Sequence, residues 1–348
     1  MEPEPYFSLG CGLIIGVICL AGLLGNLLSV VIYLLPSFRT VSVNVLLAAL
    51  SISDLLLLSS GLLVFTSAPL SSYFHSSQSW QRFYALALVY LQAVPLICRC
   101  CSIWLLVLIT VERWVSIHYP FRVARYFTTA RAKLFAGGIA IVSILLHISK
   151  FFEFKLNANG TWPEPNWRNN SAYMVYSTAS QLALTYALPL ALLALFNASM
   201  AAELLRTRQL RQQITSRARE HGQSFTISMF ATIVLVFVSC YILAFILNLV
   251  EIVDPDYFYT SVGAMISDVS NILAVCNHAV TSALYYFYCT KYRRAATKLV
   301  NRLLCRHHSG YSLEAVHILA VPLLNAPGIV TRVRYQTTDY IHVQETAL

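Results

Sequence analysis

Among the charged side chains inside long apolar stretches, where an ionised group is expensive, four stand out. They are Asp54, Arg99 and the adjacent residues Glu112 and Arg113. A charge at the centre of a bilayer costs about 2.5–3.5 kcal/mol on insertion scales, so such residues usually mark functional sites. The chemistry open to these groups is ion pairing, cation binding and the recognition of a charged ligand.

Catalysis is not indicated by the polar residues of these stretches. An enzyme that works inside the membrane needs a nucleophile with a base, or a set of metal ligands. Asp54 has no second aspartate deep in another stretch, and His147 and His278 each stand singly, as satisfied core histidines do. The nine cysteines have the spacing of neither a zinc site nor a secreted disulfide framework. The sequence therefore predicts a protein that is not an enzyme.

The composition is typical of a membrane protein. Hydrophobic residues make up 57% of the 348 residues, and charged residues only 11%. Soluble domains carry about 25% charged residues, so this chain lacks the charge to cover a water-facing surface. The formal net charge of +9 comes with no dense basic patch on a polar domain. It therefore indicates basic loops on one side of a membrane rather than binding to nucleic acid.

Seven apolar runs are long enough to cross a bilayer, since a spanning helix needs about 20 residues and must satisfy its own backbone. We expect an all-α fold, a seven-transmembrane helix bundle over residues 9–290. The first run is too long for a signal peptide and is expected to remain as a signal anchor. No internal repeat relates the two halves, which disfavours a transporter or channel. The runs cover residues 9–35, 43–66, 83–117, 132–152, 174–204, 223–250 and 259–288.

Basic residues predict the orientation of the bundle. Lys and Arg are few in three of the loops and frequent in the others and after the seventh run. Because basic loops stay in the cytoplasm, the N-terminus, residues 1–8, is predicted to be extracellular and the C-terminus cytoplasmic. Sequons at Asn159 and Asn169 fall in a loop that this topology places outside, and they are the predicted glycosylation sites.

The segment after the seventh run has two predicted parts. Residues 291–305 form a short amphipathic helix, helix eight, on the membrane surface, with a basic face toward anionic lipids. Cys305 at its end is either a palmitoylation site or an unmodified thiol. The cytoplasmic tail, residues 306–348, has no domain-sized pattern and is expected to be mostly disordered. Its last residues fit a PDZ ligand, with Thr346 and Leu348 as the recognised side chains.

Two sets of motifs carry a family resemblance over roughly residues 9–305. The first set is Gly25-Asn26, Asn44 through Asp54, Glu112-Arg113-Trp114, Pro189, Phe237 to Cys240 and Tyr285. The second is Ser102-Ile-Trp104, His118-Tyr-Pro120, 124–133, Phe151-Phe-Glu153, Pro189 to Asn197 and 267–274. The first set resembles the rhodopsin-like class of G-protein-coupled receptors. The second resembles, within that class, the FMRFamide-type neuropeptide receptors and the related vertebrate receptors that sense aromatic amino acids.

The resemblance implies a multi-pass plasma-membrane receptor whose partners are an extracellular peptide or amino-acid ligand and a heterotrimeric G protein. Ligand binding would open the cytoplasmic face, where Arg113 pairs with Glu112 at rest and is released on activation. An allosteric sodium ion, the only cofactor implied, would bind Asp54, Ser102 and Asn277 and favour the inactive state. The switch residues implied are Glu112, Arg113, Trp114 and Tyr285.

The ligand pocket is expected in the half of the bundle away from Arg113. Arg99 would grip an acidic group or a peptide carbonyl of the ligand, or else form a standing pair with an internal acid or with backbone carbonyls. Pro95 stands where amine receptors carry an aspartate, which disfavours biogenic amines. An Arg-Phe-amide peptide offers a cation for Glu251 and Asp268 and carbonyl groups for Arg99. A free aromatic amino acid offers a carboxylate for Arg99 and an ammonium group for Asp268. The expected pocket residues are Gln92, Arg99, Tyr241, Glu251 and Asp268.

Several positions depart from the class pattern. In the sixth run Tyr241 replaces a tryptophan and Leu243 a proline, so that helix is expected to be straighter. Thr281-Ser282 replaces an Asn-Pro pair in the seventh. No cysteine lies in residues 102–239, so the disulfide from the third run to the second outer loop cannot form. The alternative to a signalling receptor is therefore a diverged receptor-like seven-helix protein with weak or lost G-protein coupling.

Overall fold

The computed structural model describes residues 5–73, 78–158, 163–211, 218–254, 257 and 260–308. Seven long helical segments, named spans one to seven, follow one another and are followed by helix eight. Their bounds are Pro5–Leu34 for span one, Ser42–Tyr73 for span two, Gln78–Leu86 with Ala93–His118 for span three, Thr129–His147 for span four, Ser171–Gln181 with Leu188–Arg211 for span five, Ala218–Val253 for span six, Ser261–Tyr288 for span seven and Thr290–His308 for helix eight.

The expectation of an all-α seven-helix bundle is confirmed. Six of the helices are by themselves long and apolar enough to cross a membrane. Span seven qualifies when it is counted together with Thr290–Arg302, from which it is bent by 101°. The chain divides into two compact units at Lys298. The first unit holds the bundle and the start of helix eight, and the end of helix eight is the described part of the second.

Several helices extend beyond their apolar runs. Span one begins at Pro5 rather than at residue 9, and helix eight covers Thr290–His308 rather than 291–305. Span six begins at Ala218, although its apolar part is Thr232–Val253. In span six, Arg219, Glu220 and Gln223 are good helix formers, so the helix extends beyond its apolar part.

A β-hairpin lies between spans four and five and was not predicted. Strand β1, Phe154–Leu156, pairs antiparallel with strand β2, Pro163–Pro165, and Lys155 stands opposite Glu164. Proline has no N–H to donate, and it is tolerated in β2 because each strand of a two-stranded ribbon has a free edge. Span four ends before the hairpin in a 3-10 turn, Ile148–Phe152.

Span five contains a π turn, Leu182–Ala187, that a side chain of span three completes. The Leu188 N–H donates to the carbonyl of Ala183, five residues back. In this register the donor for the Leu184 carbonyl would be residue 189, which is a proline and has no N–H. The indole N–H of Trp104 donates to that carbonyl instead, at 3.0 Å. The π turn also carries the buried Tyr186.

Spans one and seven approach each other closely at two glycines. A Cβ at Gly22 would lie 2.7 Å from the Cβ of Ala279, and a Cβ at Gly25 would overlap the Ser282 hydroxyl. Small residues let the backbones of membrane helices pack at short distance. Asn26, on the same face of span one, donates through Nδ2 to the backbone carbonyl of His278 at 3.2 Å. This contact positions span seven where it carries its buried histidine.

Candidate functional site

Four buried polar side chains from four spans form one hydrogen-bonded group, the Asp54 cluster. Ser102 Oγ donates to Asp54 Oδ1 at 2.6 Å, and His278 Nδ1 lies 2.7 Å from the same oxygen. Next to an ionised carboxylate, which only accepts hydrogen bonds, the tautomer that fits this contact carries its proton on Nδ1. Tyr241 Oη lies 2.7 Å from His278 Nε2. Asp54 and His278 are 0% and 1% exposed, so these contacts replace all contact with solvent.

Tyr241 connects the Asp54 cluster to Arg99, which lies three residues before Ser102 on span three. The Cζ of Arg99 is 6.0 Å from the centroid of the Tyr241 ring, and its Nη1 donates to Tyr186 Oη at 3.4 Å. The Tyr186 and Tyr241 rings are 5.6 Å apart. The buried guanidinium thus meets the aromatic face of Tyr241, which attracts cations, and the hydroxyl of Tyr186.

Arg99 has no acidic partner among the residues that the structure describes. Their ion pairs within 4.0 Å are Lys150–Glu153, Arg168–Glu251 and His278–Asp54. Arg99 is 8% exposed, and its Nε is buried without a hydrogen bond. A buried positive charge without a counter-charge is costly, so this site favours an anionic or strongly polar group at Arg99.

His278 is a member of the Asp54 cluster that the sequence reasoning did not assign. Its isolated place in the sequence predicts a satisfied core histidine. It is hydrogen-bonded on both ring nitrogens, but its partners come from spans two and six, far away in sequence. The signal available in the sequence was its place directly after Asn277, since consecutive helical residues point about 100° apart and only one of them can face Asp54.

The expected sodium ligands are only partly brought together. Asp54 and Ser102 are in contact, whereas Asn277 lines a small neighbouring cavity with Ser102, Ile103 and Phe237. Within the described ranges, no hydrogen bond joins the Asn277 side chain to either of the other two. The Asp54 Oδ2 atom is buried without a partner, as is Oδ1 of Asn26. No group of three His, Cys, Asp or Glu residues suited to a metal occurs in this part of the chain.

Arg113 marks one end of the bundle, the Arg113 end, and its expected resting pair with Glu112 stays a prediction. Glu112 is 4% exposed, and its carboxylate accepts a hydrogen bond from Ser42 at the start of span two. No ion pair within 4.0 Å joins Glu112 to Arg113 in the described structure. Adjacent residues project about 100° apart on a helix, so Glu112 faces span two and Arg113 a different direction. Glu112 instead holds spans two and three together.

The other two switch residues pack at the same end. Trp114 Nε1 donates to Ser199 of span five at 2.9 Å, and its ring stacks on His118 at 4.7 Å. Tyr285 is 3% exposed, and its Oη is buried without a hydrogen bond. Its ring meets Tyr33 of span one at 6.2 Å. Tyr285 therefore has a free hydroxyl available to a new partner if the Arg113 end rearranges.

The expected pocket residues do not form one cluster. Arg99 lies near Tyr241, but Gln92 donates to the Lys150 carbonyl at 3.3 Å. Glu251 lies 3.7 Å from Arg168 and accepts a hydrogen bond from Thr178 at 3.3 Å. Asp268 accepts from Ser8 of span one at 2.9 Å. The acids at this end, the Asp268 end, are occupied by neighbours that a ligand would have to replace.

The predicted modification sites lie mainly outside the described residues. Asn159, Thr346 and Leu348 are beyond them, while Asn169 ends the 3-10 turn Trp167–Asn169 and Cys305 belongs to helix eight. All cysteines whose side chains are described are free thiols.

Comparison with known proteins identifies the family of the chain. Residues 25–285 match the family model of the rhodopsin-family seven-transmembrane receptors. An FMRFamide peptide receptor of Caenorhabditis elegans is 28% identical over 307 residues, covering 85% of this chain and 70% of that receptor.

Two further relatives are also receptors. The FMRFamide receptor of Drosophila melanogaster is 26% identical over 82% of this chain, which spans about half, 52%, of that receptor. Somatostatin receptor type 1 of Rattus norvegicus is 27% identical over 84% of this chain and 71% of its own length. The relatives are receptors and not enzymes. With the helix bundle and the match over 25–285, the chain belongs to the rhodopsin family of seven-transmembrane receptors.

Proposed function

We propose that the chain is a plasma-membrane G-protein-coupled receptor for an extracellular neuropeptide of the FMRFamide type. The observation that carries this proposal is the buried chain of contacts from Arg99 through Tyr241 and His278 to Asp54, which crosses four spans. A ligand that contacts Arg99 and Tyr241 in only one arrangement of the bundle shifts the balance between two arrangements. The similarity to two FMRFamide receptors supports a peptide as the ligand.

The signal leaves at the Arg113 end in this proposal. The ends of spans five and six part from span three there, which frees the surface around Arg113 for a heterotrimeric G protein. The basic residues favour this end as the cytoplasmic one, because Arg39, Arg122 and Arg125 lie in its loops. The N-terminus and the Asp268 end then face outward, where a ligand arrives. Contacts of helix eight with anionic lipids and of the C-terminus with a PDZ protein stay predictions.

A free aromatic amino acid is the second candidate ligand, and the isolation of Arg99 favours it. The described structure offers this guanidinium no carboxylate within 4.0 Å. The carboxylate of an amino acid would supply the missing counter-charge, next to the Nε of Arg99 that is buried without a hydrogen bond. An amidated peptide offers Arg99 only carbonyl oxygens, which bind a guanidinium less strongly than a carboxylate does.

The test is a ligand screen on cells that express the receptor. Arg-Phe-amide peptides and free aromatic amino acids are applied separately, and calcium and cAMP are read together. The expected result is a response to one class that Arg113→Ala abolishes while surface expression holds. Arg39→Ala is the control, because Arg39 is an exposed arginine of the same end outside the spans. No response to either class would contradict the proposed ligands, and a response that survives Arg113→Ala would contradict the switch role.

The diverged-receptor alternative makes a different prediction for the same cells. Span six is one uninterrupted α-helix, Ala218–Val253, with Leu243 in the place of the kinking proline. If this helix cannot swing outward, ligand binds without calcium or cAMP changes. Binding of a labelled hit to purified receptor, without any cellular response, would therefore support the alternative.

A further inference from the structure

The Asp54 carboxylate already has a donor in the place that a cation would take. Its Oδ1 accepts hydrogen bonds from Ser102 Oγ at 2.6 Å and from His278 Nδ1 at 2.7 Å, and all three residues are buried. A bound sodium ion needs oxygen atoms converging on it, because hard cations select oxygen ligands. Here the nearest group from span seven is instead an N–H, whose positive end points at the carboxylate.

This arrangement is independent of the charge on the imidazole. In the neutral ring, Nδ1–H donates to Asp54 and Nε2 accepts from the Tyr241 hydroxyl. In the charged ring, Nδ1–H still donates to Asp54, and Nε2–H donates to the Tyr241 oxygen. The Tyr241 hydroxyl can either donate or accept this hydrogen bond. The position next to Asp54 Oδ1 therefore holds a hydrogen-bond donor whether the imidazole is neutral or charged.

The remaining oxygens do not form a site around Asp54. Asn277 lines the neighbouring cavity and has no described hydrogen bond to the carboxylate. Asp54 Oδ2 is free of protein partners, and so is Asn26 Oδ1, but among the described residues the Asn277 side chain makes no hydrogen bond to Asp54 or Ser102. The residues present therefore do not fit a sodium ion.

We propose that the His278 side chain occupies the position of the sodium ion and that this receptor does not respond to sodium. Asp54 is hydrogen-bonded from within the bundle, by an imidazole that is also hydrogen-bonded to Tyr241. The arrangement of the helices around Asp54 is then held by side chains of the protein itself and does not depend on the salt outside the cell. The proposal concerns the bundle alone and does not depend on the ligand or on G-protein coupling.

The experiment measures the thermal unfolding midpoint of the purified full-length receptor in detergent, in sodium chloride and in choline chloride of equal concentration. The wild type is expected to unfold at the same temperature in both salts. His278→Ser removes the imidazole and leaves a hydroxyl and space, so sodium is expected to raise its midpoint by about 3 °C, as a ligand about tenfold above its Kd would. Adding Asp54→Asn to this variant is expected to remove the sodium effect.

His147→Ser is the matched control. His147 is also a buried histidine, but it contacts the backbone carbonyl of Ser143 and belongs to span four. It is expected to lose stability equally in both salts. If His278→Ser does not fold, His278→Asn, which keeps an amide in place of the ring, serves as the second variant. Stabilisation of the wild type by sodium, or the lack of any sodium effect in the folded His278 variant, would overturn the proposal.

Discussion

Tyr241 stands where the class usually carries tryptophan, and its hydroxyl does what an indole could not do. A phenol both donates and accepts hydrogen bonds, whereas an indole N–H only donates. The Tyr241 Oη lies 2.7 Å from His278 Nε2 and can satisfy that nitrogen whether or not it is protonated. The tyrosine and the histidine therefore form one hydrogen-bonded unit with Asp54, and a substitution of one residue changes the hydrogen bonding of the other two.

Tyr241→Phe tests this unit. The ring stays against Phe237 and Tyr186, but the buried Nε2 of His278 loses its partner. An unsatisfied buried group costs about 1–3 kcal/mol, so the thermal midpoint of the purified receptor should fall, by about 2–4 °C for each kcal/mol. Tyr176→Phe, in the exposed part of span five, is the control and should leave the midpoint unchanged. Equal midpoints for both variants would show that the hydrogen bond adds no stability.

Arg99→Ala separates a ligand contact from a purely structural arginine. A charge-assisted hydrogen bond is worth about 1.5–3 kcal/mol, so agonist potency should fall roughly 10- to 100-fold while surface expression holds. The matched control is Arg82→Ala, an exposed arginine on the same span, which should keep its potency. Dose–response curves and surface labelling are measured on the same cells. Unchanged potency for Arg99→Ala would remove Arg99 from the ligand site.

The helices were predictable from the sequence because apolar length alone decides which segments cross a bilayer. Where a helix ends, and how it is shaped inside, depends on partners that lie far away in the chain. The π turn of span five needs Pro189 and the indole of Trp104, which are 85 positions apart. The hairpin of β1 and β2 has only three residues in each strand, too short for a period-two pattern to appear.

The site was predictable to the extent that it follows single conspicuous residues. Asp54 and Ser102 were expected together and are in contact, because a buried carboxylate must find a donor. His278 was not expected there, since which of two adjacent residues faces inward depends on the rotation of span seven. That rotation is fixed by Gly22, Gly25 and Asn26 of span one. Glu112 likewise found Ser42, a partner that no motif in the sequence suggests.

Gly22→Leu tests whether span one sets the position of span seven. A Cβ at Gly22 already meets Ala279 and Leu58 at under 3.0 Å, so a leucine there must push the helices apart. Overpacking costs about 1–3 kcal/mol, and a marked loss of folded receptor at the cell surface is expected. Gly138→Leu is the control, because a Cβ at this glycine of span four meets no atom within 4 Å. Equal surface amounts of the two variants would argue against the close packing of spans one and seven.

The charged and aromatic groups are distributed along the whole length of the bundle in a definite order. Acids lie at the Asp268 end, Arg99 follows, the Asp54 cluster lies further along, and an aromatic group of Tyr33, Tyr285 and Tyr292 lies near the Arg113 end. The Tyr292 hydroxyl also contacts Ser29 at 2.8 Å, which joins the start of helix eight to span one. A disturbance at Arg99 thus has a series of buried contacts as far as Asp54 along which to act, provided that each contact has two arrangements.

This order has meaning only if the Asp268 end faces outward, and the orientation of the whole molecule can be tested directly. An epitope tag at the N-terminus should be labelled on intact cells, and a tag at the C-terminus only after permeabilisation. Asn159→Gln and Asn169→Gln should each reduce the glycan mass that an endoglycosidase removes. Asn197→Gln is the control, because that sequon lies inside span five, where Nδ2 donates to the Leu193 carbonyl at 2.7 Å. Labelling of the C-terminal tag on intact cells would show that the orientation is the reverse of the predicted one. Arg113 would then face the ligand side, where no G protein could reach it.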